Sequence, residues 1–404
     1  MYVSGIIAEY NPFHKGHKYH MDKTREFSSH IIVALDGHFM QRGDISICSK
    51  WARTEMALEN GGDLVVEIPA VFSLAPAMRF AVGGVETLSA LGLVDCLSFG
   101  SESGEIDLLQ KAAEAAASPM IKEQLDKELA KGKTFARARE DAVALVFSPE
   151  IAAVFKTPNN NLAIEYINAL RSTESSIAPV TIKRYGADHD SAQDHETVSA
   201  SFVRHLISMR GIENVKEYLP FKSYEILRRE ESLHLCPSLL SSLEKTLLGI
   251  LRQKSLEELK NLPDVSEGIE NRLYAAIRAS SSLEELYAAI KTKRYPLSRI
   301  RRLILTAVLG FSRDLYRHSP GYIRVLGFNE KGRELLHQAR KTATLPIIMK
   351  TAQIEKAGPA AQEIFTAECA ATDLYNLSLP AVQKCGTEMT NNSIRTKSRK
   401  DYKP

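Results

Sequence analysis

The sequence predicts an α/β fold: a doubly wound parallel sheet, then a helical middle region, then a small C-terminal α/β unit. Three observations carry the prediction. Val/Ile-rich runs alternate with helix-like segments over roughly the first hundred residues. Apolar residues at helical spacing dominate the middle of the chain. Two more strand-like runs, "GYIRVLGF" and "LPIIMK", stand near the C-terminus. Strand–helix alternation is the signature of parallel sheets covered on both faces.

In order, "VSGIIAEY" (3–10), "HIIVAL" (30–35), "DLVVEIP" (63–69) and "VDCLSFG" (94–100) read as buried parallel strands, apolar without alternation. Between them "GHKYHMDKTREF", "SKWARTEMALENGG" and "APAMRFAVGGVETLSALG" read as helices. Ser49 is placed to cap the second and Gly61–Gly62 to end it. Residues from about 105 to 172 are helical in pattern, and "IAPVTIKRYG" (177–186) is a further strand. The polar loop "ADHDSAQDHETVSAS" leads into a helix, "SFVRHLISMRG". Residues from about 215 to 290 are mostly helical. The segment 291–317 is strongly basic, with eight Lys/Arg against the single acid Asp314, and the tail "TNNSIRTKSRKDYKP" is polar and basic. The chain divides into a catalytic region 1–212, a helical region 213–290 and a basic region 291–404 suited to RNA.

At 404 residues there is room for two or three domains. A hydrophobic content of 44% and a charged content of 25% are ordinary for a globular protein. The net charge of +3 is too mild to draw nucleic acid by the overall field, so an RNA partner needs local basic patches. Five cysteines (Cys48, Cys96, Cys236, Cys369, Cys385) form no CxxC pair, which argues against a disulfide framework or structural zinc. "MYVSGIIAEY" does not read as a signal peptide, and no run nears the ~20 apolar residues that span a bilayer. A soluble, cytoplasmic protein with no membrane partner is expected.

Two motifs carry chemistry. In "EYNPFHKGHKYH", His14 and His17 stand three apart at the entry to a helix, with Gly16 between them. Imidazoles beside the free N–H groups of a helix N-terminus suit polyphosphate and the charge that develops in phosphoryl transfer. In "TVSASFVR", Ser199 and Ser201 open a second helix and Arg204 follows one turn later, again suited to phosphates. Either motif alone is common as a solvated loop or a plain cap; placement after the first strand of an α/β pattern makes the histidine motif specific.

Other positions follow from their places at strand ends. In "DGHFMQRGD", Asp36, His38, Gln41 and Arg42 are candidates for binding acetate or a target base, with Arg42 pairing a carboxylate or phosphate. Trp51, the only tryptophan, reads first as core packing and second as a base-stacking surface. Gly100 lets backbone approach a nucleoside; Asn159, Asn160 and Asn161 cap a helix behind Pro158; Arg184 ends a strand. Arg299, Arg301 and Arg302 are candidates for RNA phosphates.

The HxGH and SxSxxR pair resembles the HIGH-type nucleotidyltransferase superfamily. The blocks "AEYNPFHKGHKYH", "GHFMQRGD", "SKWARTEMAL", "DLVVEIP", "FGSE", "PNNNLAIEYI" and "SASFVR", in that order, resemble the bacterial tRNA(Met) cytidine acetate ligase family over roughly residues 1–210. The resemblance implies ATP activation of acetate as acetyl-adenylate, then acetyl transfer to N4 of the wobble cytidine of elongator tRNA(Met). It implies that Ile7, Ala8, Glu9, Tyr10, Asn11, Pro12, Phe13, His14, Lys15, Gly16, His17 and His20 line the ATP site, with Gly100, Asn160, Arg184, Ser199 and Ser201. His14, His17 and Arg204 would neutralise charge, and Mg²⁺ would ride on the phosphates rather than in a protein metal site. A small-molecule adenylyltransferase of the same superfamily, or a nucleotide-sensing RNA-binding protein, are the alternatives; the basic region of the chain disfavours the first and the intact motifs the second.

Overall fold

The computed structural model describes residues 1–184, 199–266, 268–292 and 295–396. Among these described residues ten strands run in chain order: β1 (Val3–Ala8), β2 (His30–Asp36), β3 (Phe39–Met40), β4 (Asp44–Ile45), β5 (Leu64–Ile68), β6 (Cys96–Ser101), β7 (Ala178–Lys183), β8 (Ile323–Phe328), β9 (Ile347–Ile348) and β10 (Ile394–Arg395). The main sheet has the order β10-β8-β5-β2-β1-β6-β7, with β9 also on β8, while β3 and β4 form a separate hairpin. Strands β5, β2, β1, β6 and β7 are mutually parallel. The five strands expected in residues 1–186 are all present.

Burial explains why these strands lack polar alternation. Ile31, Val33 and Leu35 of β2 enter one apolar cluster, with Met56 and Ile207 from covering helices. Ile32 and Ala34 enter the other, with Phe72, Phe80 and Tyr166. A strand covered on both faces has no solvent side to be polar on.

The C-terminal region is not a free-standing unit. Strand β8 adds to the same sheet, antiparallel to β5, with Val66 opposite Val325. That covers an otherwise open edge of β5. Helix Glu330–Thr342 locks the junction: Asn329 Oδ1 caps Gly332 N–H at 3.0 Å, and its amide donates to Asp63 Oδ1 at 3.1 Å. A Cβ on Gly332 would lie 2.0 Å from the Asp63 carbonyl oxygen. Gly332→Ala should therefore cost about 1–3 kcal/mol, read as a lowered midpoint in urea with unchanged slope.

The middle region is helical as expected. Helices Glu244–Gln253, Ile269–Ala279, Leu283–Ile290 and Leu297–Leu309 share the apolar cluster of Ile32 and Ala34 through Leu247, Leu251, Ile277, Leu286 and Ile300. The polar loop expected from residue 187 and the last residues of the tail lie outside the described residues.

Candidate active site

After β1 the chain turns through Tyr10, at a left-handed φ of 45°. Asn11 braces the turn, accepting from Ile47 N–H at 2.7 Å and donating to the Ile45 carbonyl at 3.4 Å. Helix Lys15–Phe27 then begins, with His14 as its N-cap. His14 Nδ1 accepts from Gly16 N–H at 3.0 Å, and His17 Nδ1 accepts from His14 N–H at 3.3 Å. The rings stack with centroids 3.7 Å apart. A Cβ on Gly16 would fall 2.8 Å from His14 Cε1, so glycine lets the ring fold over the turn.

This reciprocal cap decides what the histidines can do. Each spends Nδ1 as an acceptor, so each neutral ring carries its proton on Nε2. Burial, followed by the charges of Arg184 and Arg204, pushes the His14 pKa down to about 3. Burial and its neighbour His14 lower His17 well below the ordinary value. Burial and then Arg184 bring His20 down to about 4; its Nε2 meets Ser98 Oγ at 3.0 Å. The pair thus offers two neutral N–H donors, and positive charge comes from arginine.

These shifts set a pH dependence. Near pH 6.5 an unfolded histidine takes up a proton that buried His14 and His20 refuse until about 3 and 4. Acidification below 6.5 therefore favours the unfolded chain, by up to about 1.4 kcal/mol per pH unit for each such group. A His14→Asn, His20→Asn variant should show a shallower fall in thermal midpoint between pH 6.5 and 5 than the parent.

The second motif reaches the first. Ser199 Oγ accepts from Phe202 N–H at 3.2 Å, capping helix Ala200–Arg210, and meets Ser201 Oγ at 2.9 Å. Arg204 donates to the Asn11 carbonyl at 2.8 Å, joining the two motifs through the loop that leads into the histidine pair.

The far wall is the end of β6. Arg184 N–H donates to the Ser101 carbonyl at 2.9 Å, and the Arg184 side chain lies over Gly100, where a Cβ would be 3.3 Å from its Cγ. Asn160 Oδ1 accepts from the N–H groups of Glu102 and Ser103 at 2.9 and 3.1 Å. The Glu102 carboxylate in turn accepts from Asn159 and Asn160 at the start of helix Pro158–Ser172. Burial would raise Glu102, but these hydrogen bonds outweigh it and hold the carboxyl below its usual range. The three asparagines are now distinguishable. Asn159 gives its amide N–H to Glu102, and Asn161 gives its own to the Phe155 and Thr157 carbonyls. Only the Asn160 amide NH₂ is left without a partner among these three.

The "DGHFMQRGD" loop departs from the sequence reading. His38 is fully buried: Nδ1 meets Thr372 Oγ1 at 3.1 Å, Nε2 accepts from Lys50 N–H at 3.2 Å, and the ring stacks on Tyr375. With no exposed surface and both nitrogens engaged, His38 positions helix Lys50–Glu59 and has no free ring nitrogen for a ligand. Gln41 is also structural, donating to Glu9 Oε1 at 3.0 Å through its N–H and to the Ala75 carbonyl at 3.2 Å. Asp36 is buried with both carboxylate oxygens unpartnered, and burial followed by nearby Glu9 raises its pKa well above the usual range. Arg42 alone in this loop is exposed.

The basic segment is partly occupied too. Arg299 donates to the Asp264 carbonyl at 2.9 Å and to Ser266 Oγ at 3.0 Å, and pairs with the Asp264 carboxylate at 3.3 Å. Arg302 donates to the Gln41 carbonyl at 3.3 Å. Arg301 lies over the Tyr287 ring.

Sequence reasoning missed Arg53 and Lys50. Arg53 is fully buried and donates to the carbonyls of Glu9, at 2.6 Å, and of Asp36 and Gly37, which binds the ends of β1 and β2 together. Lys50 is fully buried against Glu67, Glu368 and Glu388. His38, Glu368 and Glu388 come close enough to hold a metal, the one such group among the described residues, but the Lys50 ammonium already contacts both glutamates. A helix start rich in basic residues, "SKWAR", is the only local signal for either, and it does not name the partners.

Comparison with known proteins identifies the relatives of this chain. The HIGH nucleotidyl transferase family model matches residues 1–390. The tRNA(Met) cytidine acetate ligase of Thermoanaerobacter sp. (strain X514) is 41% identical over 386 residues, covering 94% of this chain and 96% of that one. Its counterpart in Acetivibrio thermocellus is 37% identical over 413 residues, covering 98% and 100%. The crystal structure of Thermotoga maritima TmcAL bound with alpha-thio ATP superposes with a TM-score of 0.91 at 34% identity, over 98% of this chain and 100% of that one. Among the described residues no helix is long and apolar enough to cross a membrane. The chain belongs to the tRNA(Met) cytidine acetate ligase family, within the HIGH nucleotidyl transferases.

Proposed function

We propose that this protein adenylates acetate with ATP and transfers the acetyl group to N4 of the wobble cytidine of elongator tRNA(Met). In the first step an acetate oxygen attacks the α-phosphorus, a P–O bond to the β-phosphate breaks, and pyrophosphate leaves. In the second, the cytidine N4 attacks the acetyl carbon, the C–O bond to AMP breaks, and N4 loses a proton. The observation that carries this reading is the pair of neutral Nε2–H imidazoles at a helix N-terminus, facing Arg184 and Arg204. Positioned donors and nearby cations are what phosphoryl transfer asks of a protein. The Asn160 amide and the Gly100 backbone suit the nucleoside. Mg²⁺ would travel on the phosphates and lessen their charge.

Residues 1–212 would carry the adenylation, with RNA contacts supplied from the loop around Arg42 and the region 291–404. Since Arg299 and Arg302 are spent on internal partners, exposed Arg42 is the better candidate for a phosphate. Arg42→Glu should raise the KM for tRNA about tenfold while leaving acetate-dependent ATP–pyrophosphate exchange unchanged. Labelled acetate incubated with ATP and total tRNA tests the reading as a whole: label enters tRNA only when ATP is present.

A further inference from the structure

A cavity of about 360 Å³ lies between the start of helix Lys50–Glu59 and the segments around β8, β9 and β10, with neither histidine of the pair in its lining. Trp51, Arg324, Met349, Lys350, Asn391 and Asn392 are among the residues that line it. Its position follows from the sheet register. Because β8 is antiparallel and Val325 sits opposite Val66, Arg324 lies beside the C-terminal end of β5. The cavity thus shares the edge of the sheet at which β1 delivers His14 and His17. Three strand spacings, roughly 14 Å, separate β8 from β1.

Its lining points to a ligand. Arg324 is only 5% exposed, pairs through Nη2 with Glu388 at 3.0 Å, and keeps its unpartnered Nη1 shielded from water, so it forms the buried back of the cavity. The side-chain amides of the exposed Asn391 and Asn392 make no hydrogen bond among the described residues, so donors and acceptors for a planar polar edge stand ready. Trp51 is half-buried and gives the cavity an indole surface, and Lys350 is exposed at the rim.

We infer that this cavity receives an unpaired base of the tRNA anticodon loop, a neighbour of the cytidine being modified, with its ring on Trp51 and its edge on Asn391 and Asn392. The inference rests on the proposed tRNA substrate. Single-stranded RNA is recognised by splayed bases stacked on aromatic rings and bonded along their edges, with lysine on the phosphates. The cavity has the size of a small ligand site, and its indole, amides and ammonium are groups this recognition uses.

Trp51 is the only tryptophan in the chain, so its emission reports on this cavity alone. The test titrates the full-length protein with the anticodon stem-loop of elongator tRNA(Met), and with the same stem-loop made abasic at the loop positions flanking the wobble cytidine. The intact stem-loop should quench Trp51 saturably and the abasic one should not. The Lys350→Glu, Asn391→Ala variant should weaken both the quenching midpoint and the KM for tRNA about tenfold, with acetate-dependent pyrophosphate exchange unchanged. Acetylation of tRNA with no change in Trp51 emission would overturn the inference. So would equal quenching by free mononucleotides, which would make the site one for a small nucleotide. If the parent protein catalyses no acetate-dependent exchange at all, it is the functional reading that fails, whatever Trp51 reports.

Discussion

His17→Ala should lower acetate-dependent ATP–pyrophosphate exchange by about 10²–10³-fold, the usual loss when one positioned donor is removed from a developing negative charge. The fold should survive, because His17 caps only the His14 N–H, one bond at a helix start. The structure also says how the residue acts. His17 is neutral, with its proton on Nε2, so it works as a hydrogen-bond donor rather than as a cation. Two consequences separate these roles. The exchange rate should show no decline as pH rises from 6 to 8, since no imidazolium is being lost. His17→Asn, which keeps a neutral N–H donor, should recover part of the lost rate, whereas an imidazolium mechanism would leave asparagine as inactive as alanine.

Lys50→Met should destabilise the protein by about 3–5 kcal/mol, the range seen when one partner of a buried ion pair is removed. Lys50 Nζ touches Glu67 and Glu388 and lies 3.0 Å from Glu368 Oε1, all four side chains being shielded from water. Arg324 adds a second cation against Glu388. Burial raises the Glu67 pKa to about 8 despite Lys50 beside it, so at neutral pH Glu67 is largely protonated and two cations face the other two carboxylates. Burial alone would lower the pKa of Lys50; nearby acidic groups, Glu368 first and then Glu388, reverse this and raise it, which keeps the ammonium charged. Removing it leaves carboxylates buried without their partner, and these come from helix Pro359–Asn376 and helix Thr387–Thr390, so the C-terminal segment should loosen from the sheet. Adding Glu368→Gln and Glu388→Gln to Lys50→Met should restore much of the midpoint in urea. No restoration would mean that the lysine acts through packing instead.

The boundary between what could and could not be read in the sequence follows sequence distance. Strands β1, β2, β5 and β6 were legible because strands buried on both faces are continuous apolar runs, and the half-exposed edge strand β7 through its Val, Thr and Ile. His14, Gly16 and His17 were legible because a helix cap is local, and Arg204 because its motif opens a helix of its own. What escaped was decided by partners far along the chain. Lys50 and Glu368 are 318 residues apart, and no local pattern announces their meeting. The same holds for β8, whose apolar run looks like any strand but whose antiparallel place beside β5 depends on an edge made some 250 residues earlier. His38 misled for the opposite reason. In a polar loop at a strand end it looks like a ligand, yet Thr372 and Tyr375 fold over it from the C-terminal helix. The choice among Asn159, Asn160 and Asn161 needed atoms rather than residue types, since all three share one chemistry and differ only in which amide is already used.

The central claim is that the paired motifs form one adenylating site for acetate. The most direct measurement is ATP–pyrophosphate exchange by the purified protein without tRNA, with and without acetate. The account expects exchange that appears on adding acetate and is lost in His17→Ala. Exchange that is indifferent to acetate, or that appears only with a phosphorylated metabolite, would contradict it.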